Sequence, residues 1–249
     1  MERIADGFVL AEAPVAAPDG AIFVSDVVAG GVHRVDAAGR TEILPRRRGI
    51  GGMALHADGG LVVTGRTVLH GETEVLGEQP GVTGFNDLGV LPGGTLLVGA
   101  LTFHPARGEA PTPGALFRGP ERIETPAIRW PNGIGVSPDG AVVYVADFAD
   151  GTLHAGPPGG PWEPWARAPR GSADGLAVDA EGGVWVALGP GAGVARFGAR
   201  SGTCEDVLDV AADFVSSVCF AGTDLVITTA TDVRRTAVGI SGTPIPPAR

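Results

Sequence analysis

A glycine-containing turn recurs along this chain at nearly constant spacing, and no other feature restricts the fold as much. The turns are Pro18-Asp19-Gly20, Ala57-Asp58-Gly59, Pro92-Gly93-Gly94, Pro138-Asp139-Gly140, Ala180-Glu181-Gly182 and a degenerate Ala221-Gly222-Thr223. Their third residues lie 39, 35, 46, 42 and 41 residues apart. A period near 40 that fills the whole chain marks a repeat architecture whose units bury their apolar faces against one another. With several strands in each unit, it is the signature of a β-propeller.

Each unit reads as strands. The runs after the turns, Ala21-Ile22-Phe23-Val24, Leu61-Val62-Val63-Thr64, Thr95-Leu96-Leu97-Val98, Ala141–Ala146, Val184-Trp185-Val186-Ala187 and Leu225-Val226-Ile227-Thr228, are β-branched or aliphatic segments between turn formers. Third strands recur at Gly31–Val35, Gly114–Arg118, Gly151–Ala155 and Gly193–Phe197, with a weaker fourth near Glu163–Ala166. No segment carries an apolar stripe of helical period. The last unit has a third strand around Arg235–Ile240 and then a Pro-rich tail, so it lacks a fourth strand, while Ile4–Val9 is a spare strand at the N-terminus. The expectation is an all-β, six-bladed β-propeller over residues 1–249, with four-stranded blades and the ring closed by the N-terminal strand, which removes exposed edges.

Composition narrows the function. The 41 Gly and 21 Pro suit a fold made of many short strands. All 18 basic residues are Arg, which excludes a Schiff-base lysine, and the formal net charge is −10. Such a surface repels nucleic acid and anionic membranes, and the basic run Arg46-Arg47-Arg48 reads as a solvated loop. Two cysteines, Cys204 and Cys219, without metal-type spacing suggest a reduced, cytoplasmic protein. Neither a leader pattern nor an apolar stretch of membrane-spanning length is visible. The expected partner is a small-molecule substrate, and the expected state is a monomer or weak homo-oligomer.

In a propeller the first strand of each blade lines the central channel, so equivalent residues at its start ring one mouth. Eight residues before each turn anchor stand Glu12, Gly51, Asn86, Asn132, Asp174 and Val215, the last uncertain because its anchor is degenerate, with Ser216 or Ser217 as alternatives. Singly, each polar member is an ordinary turn residue. Four in one register instead converge on the axis, and two carboxylates and two amides gathered there are unfavourable without a cation. All candidate donors are oxygens, so a single hard divalent ion is expected, Ca²⁺ first, with Mg²⁺, Mn²⁺ or Zn²⁺ as alternatives.

These residues carry a family resemblance. Ala11-Glu12-Ala13-Pro14-Val15, Phe85-Asn86-Asp87-Leu88-Gly89-Val90, Trp130-Pro131-Asn132-Gly133-Ile134-Gly135, Ser172–Asp179 and Ser217-Val218-Cys219-Phe220 are similar to motifs of the senescence marker protein/gluconolactonase/luciferin-regenerating enzyme family, the regucalcin-like proteins. The resemblance spans nearly the whole chain. It implies a propeller with one catalytic divalent ion held by Glu12, Asn132 and Asp174, with Asn86 touching substrate or a metal-bound water. Members hydrolyse sugar and other lactones, and some hydrolyse organophosphate esters. The chain departs from the pattern at Gly84, where animal members carry an Arg of the sugar pocket, and at Ala13-Pro14-Val15-Ala16, where Gly-Pro-x-Trp is usual. The last blade is also short.

The expected activity is therefore metal-assisted hydrolysis of a lactone. Asp174 accepts a proton from the attacking water, Glu12 acts mainly as a ligand, and the Asn86 and Asn132 amides donate N–H groups to substrate while their carbonyls face the ion. Candidate pocket residues are Phe85, Trp130, His104 and Arg66, with Phe148 beside them. His104 also reads as an exposed loop residue, and Trp130 and Phe148 as packing between blades. His33 and His154, on outer strands, read as structural or exposed, and Asp26 and Asp147 as partners of turns. A phosphotriesterase, a repurposed non-hydrolytic biosynthetic enzyme and a non-catalytic metal-binding propeller remain as alternatives.

Overall fold

The computed structural model describes residues 1–125 and 127–249. After β1 (Glu2–Asp6), the strands fall into six sets. The first blade comprises β2 (Ala11–Ala16), β3 (Ile22–Asp26), β4 (Val32–Asp36) and β5 (Gly39–Leu44). The second comprises β6 (Met53–Leu55), β7 (Leu61–Val63), β8 (Val68–His70) and β9 (Thr73–Leu76). The third comprises β10 (Gly84–Val90), β11 (Leu96–Leu101), β12 (Ala115–Arg118) and β13 (Glu121–Glu124). The fourth is built from β14 (Pro131–Val136), β15 (Val143–Asp147), β16 (Thr152–Gly156) and β17 (Glu163–Arg167). The fifth is built from β18 (Leu176–Val178), β19 (Val184–Ala187), β20 (Gly193–Phe197) and β21 (Cys204–Asp209), and the sixth from β22 (Val215–Ala221), β23 (Asp224–Thr229) and β24 (Asp232–Ala237). Each set is an antiparallel meander, and β1 joins β24 to complete the sixth sheet, pairing Glu2 with Arg235 and Asp6 with Asp232.

The six-bladed propeller closed by its N-terminal strand is thus the fold the repeats predict. Two boundaries move: the closing strand lies at Glu2–Asp6 rather than Ile4–Val9, and the third strand of the last blade at Asp232–Ala237 rather than around Arg235–Ile240. Gly20, Gly59, Gly94, Gly140 and Gly182 take φ of 72–91°, the left-handed region that their tight turns require.

Both faces of the second strands are buried, which explains apolar runs without alternation: all six residues of β11 are buried, as are all five of β15. Six apolar clusters fill the seams between adjacent blades. Val62, Phe85 and Phe117 lie between the second and third, and Tyr144, Leu176 and Phe197 between the fourth and fifth. His33 and His154 are buried within the third strands of their blades. Cys219 is a buried free thiol, pushed by burial up to about 12, and Cys204 is also free. Among the described residues no helix is long and apolar enough to cross a membrane.

The Pro-rich tail is a strap across the channel. At one end Thr243 N–H donates to Val178 O (2.8 Å), Ala180 N–H to Ser241 O (2.8 Å) and Thr243 Oγ1 to Asp179 O (2.8 Å), all on the fifth blade. At the other, Ala248 N–H donates to Leu55 O (2.8 Å) and Ala57 N–H to Ala248 O (2.9 Å) on the second blade, and Arg249 N–H to Gly94 O (3.0 Å) on the third. The second and fifth blades face each other across the ring, so Pro244-Ile245-Pro246 spans the mouth at the turn end of the inner strands. Between strap and strands lies a cavity of about 630 Å³, lined by all six inner strands and by Pro244, Ile245 and Pro246.

Candidate metal centre

The candidate ligands sit where the inner strands are irregular. Each of β2, β10, β14 and β22 carries one extra residue against its partner strand, between Glu12 and Val15, Phe85 and Leu88, Pro131 and Ile134, and Val215 and Ser217. Such bulges re-aim a side chain that strict alternation would send to the other face. At the first, Ala13 takes φ of 50°, unusual for a residue with a Cβ, and its N–H turns onto Glu12 Oε2 at 2.5 Å. Strain of this kind is held only where surrounding structure enforces it.

Register settles the sixth slot. Ala11 pairs with Asp26, Pro131 with Asp147 and Val215 with Thr229, so the residues that follow, Glu12, Asn132 and Ser216, are equivalent. Ser216, not Val215, occupies the slot. The turn anchor misplaces it because Ala221 pairs directly with Asp224 in a shorter hairpin whose positive φ falls on Gly222. Ser216 Oγ is tied to Ala11 O (2.6 Å) and Thr228 Oγ1 (2.9 Å), and it is Ser217 that lines the channel.

Bonds at this level lock the blades to one another. Asn86 Nδ2 donates to Pro131 O (3.0 Å), Asn132 Nδ2 to Asp174 Oδ1 (2.5 Å), Gly133 N–H to Asp174 O (3.2 Å) and Gly175 N–H to Ser216 O (2.9 Å). Ser25 Oγ bridges Glu12 O and Ile50 O (3.2 and 2.7 Å). Glycines admit the close approach. A Cβ on Gly51 would stand 2.5 Å from Asn86 Oδ1, one on Gly133 2.5 Å from Asp174 O, and one on Gly175 2.5 Å from Ser217 Cβ. Gly51 therefore fills its slot by making room for Asn86.

Glu12, Asn132 and Asp174 are buried, at 7, 7 and 3% exposure. Burial, and then the charges of Asp174 and Asp87, raise the Glu12 carboxyl well above its ordinary range; burial and the charge of Asp87 do the same to Asp174. Asp87, a residue that the eightfold count passes over, is the third acid. Its accessible surface is channel wall rather than bulk solvent, and burial pushes it to about 7 against opposing bonds from the Leu88 and Ile134 amides. It lies on the extra turn of the β10 bulge directly after Asn86, so its position beside Asn86 was the signal available.

The arrangement fits a hard cation. Three carboxylates raised by burial, two of them also by a neighbouring acid's charge, call for compensating positive charge, and no Arg is bonded to any of them among the described side chains. No group of three or more His, Cys, Asp or Glu is gathered closely enough to hold an ion among the described residues, so a ligand set here has to include the Asn132 amide. One N–H of Asn132 and one of Asn86 are taken within the protein, which leaves Oδ1 as the acceptor each offers. The expectation that these amides donate to substrate is narrowed to their second N–H.

The other sequence candidates are dispersed. Phe85 pairs with Ala100 and is buried edge-on against Phe117 (5.5 Å) in the seam between blades, because it precedes the bulge and points away from the channel. Arg66 lies at the exposed rim, bonded to Glu78 at 2.5 and 3.0 Å. His104 opens a 3₁₀ turn, Pro105–Arg107, in the long third-blade loop, its N–H on Glu109 Oε2. Trp130 immediately precedes β14 and is half-buried, its N–H held by Asp147 Oδ1 (3.0 Å). Asp147 and Asp26 accept turn amides, as expected.

Comparison with known proteins agrees with the fold. Residues 10–231 match the model of the "SMP-30/Gluconolactonase/LRE-like region". No curated protein sequence matches. Among solved structures the chain is similar to a luciferin-regenerating enzyme (TM-score 0.86, 19% identity, covering 100% of this chain and 98% of that one). It is also similar to regucalcin from Agrobacterium tumefaciens strain C58, described as a calcium-binding protein (TM-score 0.79, 20% identity, covering 100% and 97%). A third is a gluconolactonase from Xanthomonas campestris (TM-score 0.77, 22% identity, covering 94% and 88%). At these identities the structures establish the fold; the family model, matched over most of the chain, establishes that the protein belongs to the SMP-30/gluconolactonase/luciferin-regenerating-enzyme-like family.

Proposed function

We propose that this protein is a divalent-metal-dependent hydrolase of a lactone. The observation that carries the reading is the placing of Glu12, Asn132 and Asp174 at one buried level, with Asp87 near enough that its charge, added to burial, disfavours Glu12 and Asp174 as anions. The family is consistent with lactone hydrolysis, and a calcium-binding relative supports a divalent ion. Glu12, Asn132 and Asp174 would hold the ion, Ca²⁺ by donor type. Bound there, it would supply Lewis acidity to the ester carbonyl and offset charge that develops on its oxygen.

The chain's own groups do the rest. Asp174 is the proton acceptor for the attacking water: its Oδ1 is fixed by Asn132 and its second oxygen is free of side-chain partners among the described residues. Glu12, restrained by the Ala13 amide, fixes its carboxylate without needing to move. Asn86, anchored on Pro131 O, presents Oδ1 to a water or a substrate hydroxyl. Because Asn132 links directly to Asp174, loss of either displaces the other.

The test is turnover by metal-reconstituted protein against lactones of different ring size beside a phosphotriester, read as acid release. Asp174→Ala is expected to abolish turnover at saturating metal. Retained activity in that variant removes Asp174 from the mechanism, and turnover of the phosphotriester alone replaces the lactonase reading.

A further inference from the structure

Four aromatic rings run around the mouth of the channel on the ligand side. The inner strands begin at that face and the second strands end there, so Trp130 (before β14), Phe214 (before β22), Phe148 (after β15) and Phe103 (two residues after β11) all emerge on it. Phe103 packs edge-on against Trp130 (5.0 Å between centroids), and tilted contacts join Trp130 to Phe148 (4.8 Å) and Phe148 to Phe214 (6.3 Å). The chain of rings reaches from the third blade to the sixth. It crosses the fifth blade at Gly189, where an added Cβ would stand 3.2 Å from Phe148 and 3.5 Å from Phe214. Phe103 is buried and acts as backing, whereas Trp130, Phe148 and Phe214 keep exposed surface.

Several charged groups of the same rim are already engaged. Arg66 holds Glu78, Arg129 holds Asp150, Arg170 holds Asp209, and Arg47 bonds Thr64 O and Thr67 O. A polyhydroxylated ring needs several free donors and acceptors, since a hydroxyl buried without a partner is strongly disfavoured. A flat apolar group needs only a rigid aromatic wall, and these rings supply it with few rotamers to freeze.

Resting on the lactonase reading, we infer that the preferred substrate is a lactone bearing an aryl or alkyl substituent, laid against Trp130, Phe148 and Phe214 while its ester reaches the ring of Glu12, Asn132 and Asp174. Burying one such substituent corresponds to a preference of roughly 10- to 100-fold in kcat/KM over the bare ring.

Metal-loaded protein is assayed with γ-butyrolactone, γ-phenyl-γ-butyrolactone and gluconolactone, and the same ratios are read in Trp130→Ala and Phe148→Ala. The expected result is that the phenyl lactone exceeds the other two and that its ratio to γ-butyrolactone falls about tenfold in each variant. Gluconolactone turned over as well as the phenyl lactone, or ratios unmoved in the variants, overturns the inference. Titration with the corresponding phenyl-substituted and unsubstituted γ-lactams, followed by tryptophan fluorescence, separates the two claims. Tighter binding of the phenyl lactam with no turnover of any lactone removes the hydrolase reading and keeps the apolar site. Equal binding of the two lactams removes the apolar site whatever the turnover.

Discussion

Gly133→Ala is the substitution that most sharply probes how the ring is held together. The new Cβ would stand 2.5 Å from Asp174 O, 2.5 Å from Leu176 N and 2.8 Å from Gly175 C, all backbone atoms of the next blade, so no side chain can rotate away. Relief requires the fourth and fifth blades to part at the level where Gly133 N–H bonds Asp174 O and Asn132 bonds Asp174. Overpacking of this kind costs about 3 kcal/mol, weakening of the backbone bond adds about 1 kcal/mol, and the lower entropy of the unfolded chain returns up to about 1 kcal/mol. The net of about 3 kcal/mol corresponds to a fall of roughly 6–12 °C in Tm for a chain of this length. Gly84→Ala is the control: its Cβ would meet only Gly65 O at 3.5 Å, an ordinary contact, and Tm is expected to hold. Thermal melts with and without Ca²⁺ read both variants, and Gly133→Ala should also lose most of the Ca²⁺-induced rise. A Gly133→Ala protein that melts like the parent, with its Ca²⁺ response intact, would refute the claim that blade contact at this level organises the site.

Two further outcomes follow from the same structure. Truncation after Ile240 removes the strap's six bonds to the second, third and fifth blades and, after the entropy of ordering the tail is offset, should lower Tm by roughly 5–15 °C; an unchanged melt would mean the strap covers the channel without bracing it. In the presence of chelator, the folded chain retains a proton on Asp87 between its ordinary 3.8 and about 7 that the unfolded chain releases. That contribution to stability is complete below 3.8 and is lost as pH rises through 7, by at most about 4 kcal/mol. Glu12 and Asp174 shift in the same direction, so chelated protein should melt lower at pH 8 than at pH 5, and a higher melt at pH 8 would show the acids are not held together.

Much of the fold was legible because its repeat is written in glycines that only a left-handed turn requires, at Gly20, Gly59, Gly94, Gly140 and Gly182. The same glycines located Glu12, Asn86, Asn132 and Asp174 by counting. The count is ambiguous where the physics of the turn changes: the sixth hairpin is shorter, so eight residues back lies Val215, while the slot belongs to Ser216, one of the two alternatives that the degenerate turn leaves open. Asp87 escaped because strand alternation places it opposite Asn86, and only the bulge lets it line the channel. Phe85, adjacent to a ligand motif in sequence, lies before that bulge and faces the core. The strap was not legible at all, since Ser241–Arg249 pairs with strands far away in sequence and carries no alternation of its own. The aromatic chain depends on contacts among four blades that no local pattern encodes.

The central claim is that Glu12, Asn132 and Asp174 hold one divalent ion. Calorimetric titration of chelator-stripped protein with Ca²⁺, repeated on Asp174→Ala and Glu12→Ala, tests it directly. The account predicts one ion per chain for the parent protein and loss of that site in both variants, each still folded by circular dichroism. No heat of binding in the parent with Ca²⁺, Mg²⁺, Mn²⁺ or Zn²⁺, or an undiminished site in Asp174→Ala, would contradict it.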